Sequence, residues 1–481
     1  MTHLNSMTHT ISLIYGDGIG REVITATRRI IDAIGLNIIW EECIAGCEAF
    51  HKGIATGIPQ ETLDSINRNK TVLKGPLETP IGFGEKSANV TLRKCFETFA
   101  NIRPVRNFPN VNTPYSDVPI DFVLIRENVE DLYAGIEYMT NAETAEGLKL
   151  ITREGCEKII RFAYEFARSE GRKTLHCATK ANILKLTEGM MKHVFENVSK
   201  EYPDIESHHI IVDNCAHQLV RSPEKFDCLV MTNMNGDILS DLASGLVGGL
   251  GFAPGANIGS DIAIFEAVHG SAPKYAGKNM INPTAVLLSG TMMLRHIGEI
   301  HAATALENAL FVTLEEGYLT RDVFQSGGGV TTSDFTDRII NNLGKSPVGA
   351  IARTYKTIDM RQIKPSITIP KDVTCTGIDV FIDSRLPVTE IGGILERACL
   401  GLPMHLSMIA NRGIKVYPDV GMKPACNSSW QCRLLSLEGT LSDAFILQFL
   451  SGLSATLPWS TIKKLFVQGN TLFYTKVQGE A

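Results

Sequence analysis

Three arginines follow one another over a short part of the chain, at positions suited to binding a multiply charged anion. Arg93 and Arg103 lie in the segment GFGEKSANVTLRKCFETFANIRPVR, and Arg126 ends a predicted strand. Ser87 and Asn89 stand at the predicted start of a helix, where free backbone N–H groups and the helix dipole favour an anion. A planar guanidinium can bind a carboxylate or a phosphate through two parallel hydrogen bonds. A capping serine with surface arginines explains the same pattern equally well.

An acidic motif, NMNGDILSD, places Asp237 and Asp241 one helical turn apart, just after a predicted strand. The two carboxylates would therefore share one face at the carboxyl end of that strand. Carboxylate oxygens suit Mg²⁺ or Mn²⁺, whose octahedral shell leaves positions for substrate oxygens. Asp213, directly after a predicted strand at 210–212, is a plausible third acid. The alternative is an acidic helical turn that only complements the helix dipole.

Two more side chains could transfer protons. Lys180 follows a predicted strand at 174–177, at the edge of the sheet where α/β proteins often hold working groups. Tyr133 comes seven residues after Arg126. Each residue alone is more often structural than catalytic. Together with the arginines and the aspartates, they would complete a set of anion-binding groups, metal ligands, a base and an acid.

The glycine-rich motif GDGIG at 16–20 gives only weak evidence for a nucleotide site. It directly follows a predicted strand at 11–15, as the dinucleotide-binding fingerprint GxGxxG follows its strand. The third glycine of that fingerprint would fall at position 21, where the chain has Arg21. Glycines after a first strand are also common in plain turns, so the motif alone decides nothing.

The composition is that of a globular protein with enough apolar material for sizeable cores. The chain has 481 residues, of which 44% are apolar and 20% charged, and its length suggests about three domains. The net charge of −6 comes without a long run of one sign, so we expect no nucleic-acid partner. The most apolar region, 243–259, is interrupted by glycines and a proline, so we expect no membrane span. Scattered cysteines without a CxxC pair, and a start without a secretory signal, predict a cytoplasmic protein.

Short apolar runs alternate with amphipathic stretches along the first 345 residues. The predicted strands are 11–15, 72–74, 122–126, 174–177, 210–212 and 228–232. The predicted helices are one that ends near 34, and then 89–99, 153–170, 183–200, 238–248, 284–297 and 303–316. This alternation predicts an α/β chain with a substantially parallel sheet.

The character of the chain changes near residue 345. The segment 345–370 contains several prolines and no long periodic stretch, which is typical of a linker. Beyond it, the pattern predicts strands at 377–382, 406–410 and 414–417, and helices at 387–399 and 441–453. These elements predict a small α+β module appended to a complete upstream unit.

The motifs taken together resemble a known family, the decarboxylating isocitrate/isopropylmalate dehydrogenases, and within it the NADP-dependent isocitrate dehydrogenases of bacteria. The matching blocks include KSANVTLRK, IRPVR, RENVEDLYAGIE, CATKANILKLTEG, NMNGDILSD, GFAPGANIG and EAVHGSAPKYAGKNMINPTA. They span about residues 11 to 345. The tail after about 370 resembles the extra C-terminal domain of the longer, Thermus-like isocitrate dehydrogenases.

The resemblance implies an α/β fold that is not a Rossmann fold. A large domain would be built from 1–98 and 249–346, and a small domain from 99–248. The small domain would include a clasp at about 134–152 that joins two subunits. The resemblance further implies a linker at 347–370 and a C-terminal α+β domain at 371–481.

The resemblance also assigns roles to individual residues. Substrate carboxylates would be bound by Ser87, Asn89, Arg93, Arg103 and Arg126. Proton transfer would fall to Tyr133 and Lys180, with Lys180 reaching into the site of a second subunit. Asp237 and Asp241 would hold Mg²⁺ or Mn²⁺ together with Asp213 of the second subunit. The cofactor would lie along Lys74, Thr79, His269, Gly270, Lys274, Tyr275 and Asn282.

Isocitrate oxidation in the tricarboxylic acid cycle, by a homodimer with shared active sites, is the activity that the resemblance implies. NADP is the expected cofactor because NAD-dependent members commonly carry an aspartate at the position of Lys274. Two features depart from the family pattern: an acid, Glu78, precedes Thr79, and the distal Tyr and Arg that grip the cofactor phosphate have no clear counterparts near 321–329.

Three other interpretations stay open from the sequence alone. An isopropylmalate or homoisocitrate dehydrogenase would differ at Ser87 and Asn89, because an isopropyl group favours an apolar neighbour there. A non-catalytic regulatory subunit would have lost some of the proton-transfer and metal residues, all of which are present. The C-terminal module could be a small-molecule sensor, although its sequence shows no cluster of ligand-binding residues.

Overall fold

A computed structural model describes residues 8–78, 87–324, 328–349, 358, 360, 363–365, 371–419, 421 and 423–480. The chain divides into two compact units. The first consists of residues 1–134 and 149–366, and the second of residues 135–148 and 367–481. No helix in the described ranges combines the length and the apolar character that crossing a bilayer requires. The cysteines are all free thiols.

A large mixed sheet forms the centre of the first unit. Its strands are β1 (His9–Ile14), β2 (Ile38–Cys43), β3 (Thr71–Lys74), β4 (Ala100–Arg106), β5 (Asp121–Glu127), β8 (Thr174–Thr179), β9 (Glu206–Ile211), β10 (Cys228–Met231), β11 (Pro254–Ile258) and β12 (Ala263–Ala267). The intervening strands β6 (Glu137–Asn141) and β7 (Thr144–Gly147) form a separate antiparallel hairpin. The order in the large sheet is β2-β1-β3-β12-β11-β4-β5-β10-β8-β9.

The flanks of this sheet are parallel, as predicted, but its centre is antiparallel. β11 runs antiparallel to both β12 and β4, and β4 runs antiparallel to β5. The sequence analysis missed β4 and β11 because Arg103, Pro104 and Asn257 interrupt their apolar pattern. Two of these residues belong to the candidate site described below, so the site itself obscured the strands.

Helices cover both faces of the large sheet and bury its apolar side chains. They are α1 (Gly20–Ala33), α2 (Cys47–His51), α3 (Gln60–Asn69), α4 (Ala88–Cys95), α5 (Arg153–Glu170), α6 (Thr187–Val198), α7 (Val212–Arg221), α8 (Asn233–Leu246), α9 (Thr284–His296), α10 (Ile300–Glu315) and α11 (Thr332–Asn341). α9 and α10 are buried over most of their length. α8 begins five residues before the predicted start at 238, so Asp237 lies inside the helix.

The C-terminal module has an antiparallel sheet with two helices. Its elements are β13 (Val373–Asp383), α12 (Val388–Ala398), β14 (Met404–Asn411), β15 (Ile414–Tyr417), β16 (Ser429–Ser436), α13 (Asp443–Leu453), β17 (Trp459–Gln468) and β18 (Thr471–Leu472). The strand order is β15-β14-β16-β13-β17-β18. Its central part follows the β-α-β-β-α-β order of ferredoxin-like folds. The predicted α+β class is therefore right, although the sequence analysis missed β16 and β17.

Arg433 on β16 stands out in the module because it is buried and fully paired. Its Nε and Nη2 donate to the two carboxylate oxygens of Asp379, both at 2.8 Å. Its Nη1 donates to both oxygens of Glu480, at 2.8 and 2.7 Å. The ring of Tyr474 lies 4.6 Å from the guanidinium carbon. One cation is thus matched by two carboxylates in the interior of the module.

The proposed domain boundaries within the first unit stay a prediction. The hairpin β6–β7 falls inside the predicted clasp at 134–152 and groups with the C-terminal module. Most of the predicted linker at 347–370 lies outside the described residues.

Candidate active site

Three neighbouring strands bring the predicted anion-binding side chains together. Asn101 on β4 pairs with Arg126 on β5, and on its other side with Asn257 on β11. Arg103 lies two residues beyond Asn101 and therefore points to the same face of the sheet. The antiparallel centre of the sheet thus places Arg103 and Arg126 in one site.

The Arg126 guanidinium contacts the predicted metal-binding helix, α8. Its side chain is only 1% exposed, and its Nη1 donates to Asp237 Oδ1 at 2.5 Å. Its Nε and Nη2 donate to Asn233 Oδ1, at 3.0 and 2.6 Å. The Tyr133 hydroxyl donates to the other carboxylate oxygen of Asp237, also at 2.5 Å. Three residues predicted from separate motifs therefore meet in one cluster.

Gly236 makes room for this contact inside α8. A Cβ atom at position 236 would lie 2.7 Å from Cγ of Arg126 and 2.8 Å from its Cβ. Such contacts are shorter than the 3.0 Å below which neighbouring atoms must shift. Any side chain at this position would therefore displace Arg126 or the helix.

Arg103 contacts the same helix. Its Nε donates to Asn101 Oδ1 at 2.6 Å, and its Nη1 donates to the Ser240 hydroxyl. Its Nη1 lies 3.4 Å from Asp241 Oδ1, and its Nη2 lies 3.3 Å from Asp237 Oδ1. Both predicted metal ligands are therefore within ion-pair distance of one substrate-binding arginine.

The buried arginines create a surplus of positive charge. Burial lowers the pKa of Arg126 to about 9, and repulsion from Arg103 and Arg93 adds to that effect. Burial also lowers the pKa of Arg103. A guanidinium keeps its proton in proteins. The lowered pKa values therefore indicate that the positive charges of the two arginines are not fully compensated within the fold. An anion bound between the arginines would stabilise them.

The pKa values of the acidic groups in the site shift in different directions. Burial alone would raise the pKa of Asp237, but Arg126, Arg103 and the Tyr133 hydroxyl hold it below its ordinary value. Burial raises the pKa of Asp241. Burial and the hydrogen bond to Asp237 together raise the pKa of Tyr133. Asp237 is thus the more strongly stabilised carboxylate of the pair.

A second buried ion cluster is centred on Glu266. The Lys74 ammonium, 1% exposed, donates to Glu266 Oε2, and Arg93 Nη2 lies 3.1 Å from Glu266 Oε1. Burial alone would raise the pKa of Glu266, but Lys74 and Arg93 hold it well below its usual range. The Asn257 amide donates to the same carboxylate at 2.7 Å. Sequence reasoning did not identify Glu266, whose only signal was a carboxylate inside an otherwise apolar strand.

A cavity of ≈ 660 Å³ joins the predicted substrate and cofactor residues. It is lined by Pro76, Leu77, Glu78, Asn89, Arg93, Asn101, Arg103, Gly255, Glu266, Ala267, Val268, His269, Gly270 and Ser271. Three buried atoms of its walls have no hydrogen-bond partner among the described residues: Asn89 Oδ1, Arg93 Nε and His269 Nε2. Unpaired buried polar atoms are costly, so their concentration here marks a place for a polar ligand.

The GDGIG turn holds the loops around this cavity. The Asp17 carboxylate accepts hydrogen bonds from the N–H groups of Cys47 at 2.9 Å and Glu78 at 2.7 Å. Gly18 has a φ of +55°, and a Cβ there would lie 2.0 Å from the carbonyl oxygen of Ser271. The motif therefore fixes two loops through close backbone contacts.

Lys180 and Asp213 form a pair of their own. Lys180 Nζ donates to Asp213 Oδ1 at 2.6 Å, and the Asp213 side chain is 67% exposed. The hydrogen bond from Lys180 lowers the pKa of Asp213. The described residues contain no group of three or more Asp, Glu, His or Cys side chains able to hold a metal. Within one chain, Asp213 therefore does not join Asp237 and Asp241.

The predicted cofactor residues occupy three kinds of surroundings. His269 and Gly270 line the cavity, and burial lowers the pKa of His269. Asn282 is buried, and its amide donates to Asp322 at 3.1 Å. Lys274 and Tyr275 belong to an exposed 3₁₀ turn, where Lys278 Nζ lies 5.7 Å from the centre of the Tyr275 ring. Thr79 lies outside the described residues, and Ser87 is the N-cap of α4.

Two parts of the chain match known protein families. Residues 10–339 match the family described as isocitrate/isopropylmalate dehydrogenase. The chain belongs to this family. Residues 373–480 match a second family, described as the C-terminal domain of bacterial isocitrate dehydrogenase.

Several members of the isocitrate/isopropylmalate dehydrogenase family are similar over nearly the whole chain. The NADP isocitrate dehydrogenase of Thermus thermophilus is 54% identical over 98% of this chain and 96% of its own length. That of Rickettsia prowazekii is 37% identical over 98% of this chain and 99% of its own length. The resemblance and the fold class inferred from the sequence are therefore confirmed.

Two solved structures are also similar. A protein from Thermus thermophilus superposes with a TM-score of 0.96 at 53% identity, covering 100% of this chain and 98% of its own. The isocitrate dehydrogenase of Methylococcus capsulatus superposes with a TM-score of 0.68 at 45% identity, covering 70% of this chain and 99% of its own.

Proposed function

We propose that the protein oxidises and decarboxylates isocitrate to 2-oxoglutarate and CO₂ while reducing NADP. The observation that carries the proposal is the cluster in which Arg103 and Arg126 contact Asp237 beside the Tyr133 hydroxyl. Relatives named NADP isocitrate dehydrogenase, similar over 98% of this chain, support the same activity. The protein would act in the cytoplasm, in the tricarboxylic acid cycle.

The arginines bind and orient the substrate in this proposal. Isocitrate carries three carboxylates, and Arg93, Arg103 and Arg126 supply three guanidinium groups around one site. The surplus positive charge described above would be relieved by such an anion, because charge-assisted hydrogen bonds are stronger than neutral ones. Among the described residues, the buried Arg93 Nε has no hydrogen-bond partner and offers a donor to a substrate carboxylate. An apolar isopropyl group would leave this buried donor unpaired.

The residues of α8 fit a divalent cation. Asp237 and Asp241 lie one turn apart and offer only oxygen donors, which Mg²⁺ and Mn²⁺ prefer. When bound, the cation polarises the substrate hydroxyl and a carboxylate as a Lewis acid. Two carboxylates do not complete an octahedral shell, so we propose that Asp213 of a second subunit and substrate oxygens contribute the remaining positions.

Tyr133 and Lys180 would move protons. Tyr133 directs its O–H at Asp237, next to the place where the substrate would bind, and would protonate the carbon that has lost CO₂. In its own chain, the Lys180 ammonium pairs with the exposed Asp213. We therefore propose that Lys180 takes the hydroxyl proton in the site of the second subunit.

NADP fits the exposed cationic turn at the edge of the cavity. Lys274 and Tyr275, with Lys278 near the tyrosine ring, offer positive charge and a hydroxyl donor to a 2′-phosphate. His269 lines the cavity, and its Nε2, which has no partner among the described residues, is available to the ribose or the pyrophosphate. When bound, NADP supplies the acceptor for the hydride.

A homodimer is proposed because apolar side chains are exposed next to the shared groups. Ile183, close to Lys180 in the chain, is 65% exposed, and Ile238, next to Asp237, is 59% exposed. Apolar side chains concentrated beside functional groups are typical of an interaction surface. A second copy of the chain would bury them and bring Lys180 and Asp213 to its own site.

A spectrophotometric assay at 340 nm tests the proposal. The purified chain is incubated with isocitrate, Mg²⁺ and either NADP or NAD, with isopropylmalate as the control substrate. We expect NADPH formation with isocitrate alone, and its loss after exhaustive treatment with EDTA. Turnover of isopropylmalate but not isocitrate, or full activity without a divalent cation, would contradict the proposal.

A further inference from the structure

A buried lysine outside the predicted set joins two carboxylates beside the candidate active site. Lys149 Nζ lies 2.5 Å from Asp131 Oδ1 and 2.9 Å from Glu188 Oε1. Both carboxylates are 0% exposed, and the lysine side chain is 14% exposed. Among the described residues, no other cation lies within ion-pair distance of either carboxylate. One ammonium is therefore the shared counter-ion of two buried carboxylates.

Asp131 connects this lysine to the turn that carries Tyr133. Its Oδ1 accepts the N–H of Leu132, the first residue of that turn, at 2.8 Å. Its Oδ2 accepts the N–H of Met234 in the first turn of α8 at 3.0 Å. Asp131 itself has a φ of +69°, a conformation that a non-glycine residue holds only with support. Its carboxylate thus ties Tyr133 to the helix of Asp237.

Glu188 connects the same lysine to Lys180. Its Oε2 accepts the backbone N–H of Lys180 at 2.9 Å. Its Oε1 accepts the hydroxyl of Thr232, the N-cap residue of α8, at 3.0 Å. The backbone of Lys180 and the start of α8 therefore both depend on one buried carboxylate.

We propose that Lys149 is a positioning residue that couples the two proton-transfer groups and links one active site of the dimer to the other. Through Asp131 it fixes Tyr133 and α8, which serve the site of its own chain. Through Glu188 it fixes Lys180, which serves the site of the second chain. The linking role rests on the proposed function, since it requires Lys180 to act across the dimer.

Removing the ammonium should disturb both connections. Two buried carboxylates without a cation are strongly unfavourable, so they would take up protons or rotate toward water. Either change weakens the hydrogen bonds that the two carboxylates accept from the N–H groups of Met234 and Lys180. Displacement of reacting groups by about 1 Å can cost about 100-fold in rate.

The first test compares three variants of the full-length protein. Lys149→Met should lower kcat about 100-fold while the KM for NADP stays within about twofold of the unmodified value. Lys149→Arg, which keeps a cation, should have a kcat at least about tenfold higher than that of Lys149→Met. Lys158→Met is the matched control, because Lys158 also joins two carboxylates, Glu97 and Glu154, but at the surface. It should retain kcat.

Circular dichroism and size-exclusion chromatography accompany these assays. If Lys149→Met does not fold, Glu188→Gln replaces it, and this variant should lower kcat in the same direction. A folded variant of either kind with kcat within about threefold of the unmodified protein overturns the proposal. Loss of thermal stability with unchanged kcat also overturns it, because it would show a structural role alone.

The second test separates action within a chain from action across the dimer. Heterodimers are isolated with two affinity tags, pairing an unmodified chain with a chain that carries Arg93→Ala, either alone or with Lys149→Met. The only intact site then uses Lys180 of the modified chain. Adding Lys149→Met should lower the remaining activity about tenfold; unchanged activity overturns the link between sites.

The unmodified protein is assayed first with isocitrate and NADP. Failure at this stage refutes the proposed function. Normal activity together with unaffected Lys149 variants refutes only the positioning role. The two failures are therefore distinguishable.

Discussion

The candidate active site and the C-terminal module both bury an arginine almost completely, but they treat its charge in opposite ways. Arg126 and Arg433 are each 1% exposed. Arg433 is matched by the carboxylates of Asp379 and Glu480, which raise its pKa despite burial. Arg126 shares Asp237 with Arg103 and has a lowered pKa. In the module, every N–H group of Arg433 has an acceptor within the fold. In the candidate active site, Lys74 and the three arginines outnumber the carboxylates of Asp237, Asp241 and Glu266.

This difference separates structural from functional ion pairs. A buried charge is unfavourable unless it is paired and hydrogen-bonded within the fold. The surplus positive charge of the candidate site would therefore be stabilised by an anionic ligand. The cavity wall adds three buried polar atoms without a hydrogen-bond partner among the described residues, at Asn89, Arg93 and His269. The candidate site therefore combines surplus positive charge with unpaired polar atoms.

Replacement of Arg126 should cause the largest loss of activity, because Arg126 is the buried arginine whose charge is available to a ligand. Arg126→Met should lower kcat/KM for isocitrate by about 100- to 10,000-fold, since it removes two charge-assisted hydrogen bonds of about 1.5–3 kcal/mol each. Steady-state kinetics at saturating NADP measures this loss. Arg433→Met serves as the control and should keep kcat/KM within about threefold. Equal losses of kcat/KM in the two variants would contradict a functional role for Arg126 and a structural role for Arg433.

The cationic turn at Lys274 and Tyr275 provides the next test. Changing Lys274→Asp together with Tyr275→Ile should reduce the preference for NADP over NAD by about 100-fold, because two charge-assisted contacts with the 2′-phosphate are lost. The ratio of kcat/KM values for the two cofactors measures this change. Lys52→Asp, on a surface helical turn where Lys52 pairs with Glu48, is the control. An unmodified protein that uses NAD as efficiently as NADP would refute this interpretation.

Removal of Arg433 tests the structural side of the comparison. Arg433→Met leaves Asp379 and Glu480 buried without a cation, which should lower the free energy of unfolding of the module by about 3–5 kcal/mol. Urea denaturation followed by the fluorescence of the module's tryptophans, Trp430 and Trp459, measures the loss. A variant as stable as the unmodified protein would show that this network does not stabilise the module.

The smallest effect is expected at Glu127, a buried carboxyl at the end of β5. Burial raises its pKa to about 7, and the negative charge of Glu130 acts in the same direction. Between the unfolded pKa near 4.5 and this value, the native state holds more protons than the unfolded state. The free energy of unfolding should therefore fall, by at most about 3 kcal/mol, as pH rises through this range.

Glu127→Gln should remove this part of the pH dependence. Denaturation at a pH near 5 and again near 7.5 measures the slope in the variant and in the unmodified protein. Asp121→Asn, at the exposed start of the same strand, is the control. An unchanged slope in Glu127→Gln would show that this carboxyl is already ionised in the folded protein at the lower pH.

The sequence predicted some elements closely and could not predict others. The helix at 153–170 and the strand at 414–417 have the predicted bounds, because a clear periodicity and turn residues mark their ends. β4 and β11 were missed because polar side chains of the site replace the apolar alternation that identifies strands. β16 was missed in the same way, since Arg433 occupies a buried position.

The candidate site shows a similar division. The motif residues Arg103, Arg126, Tyr133 and Asp237 lie in one cluster, and their roles stay a prediction. The roles of Glu266 and Lys149 were not visible, because each depends on partners far away in the chain. Within one chain, Lys180 and Asp213 pair with each other and do not join the cluster of Arg103, Arg126, Tyr133 and Asp237. Residue types and spacing alone could not predict this separation.

The strand order of the large sheet has a consequence for synthesis of the chain on the ribosome. β3 is buried along its whole length, with β1 on one side and β12 on the other. β1 and β3 are made early, but β12 begins only at Ala263. At about 5–20 residues per second, the intervening segment takes about 10–40 s to emerge. During that time the far edge of β3 has no native partner, so a nascent chain has to be protected there from aggregation.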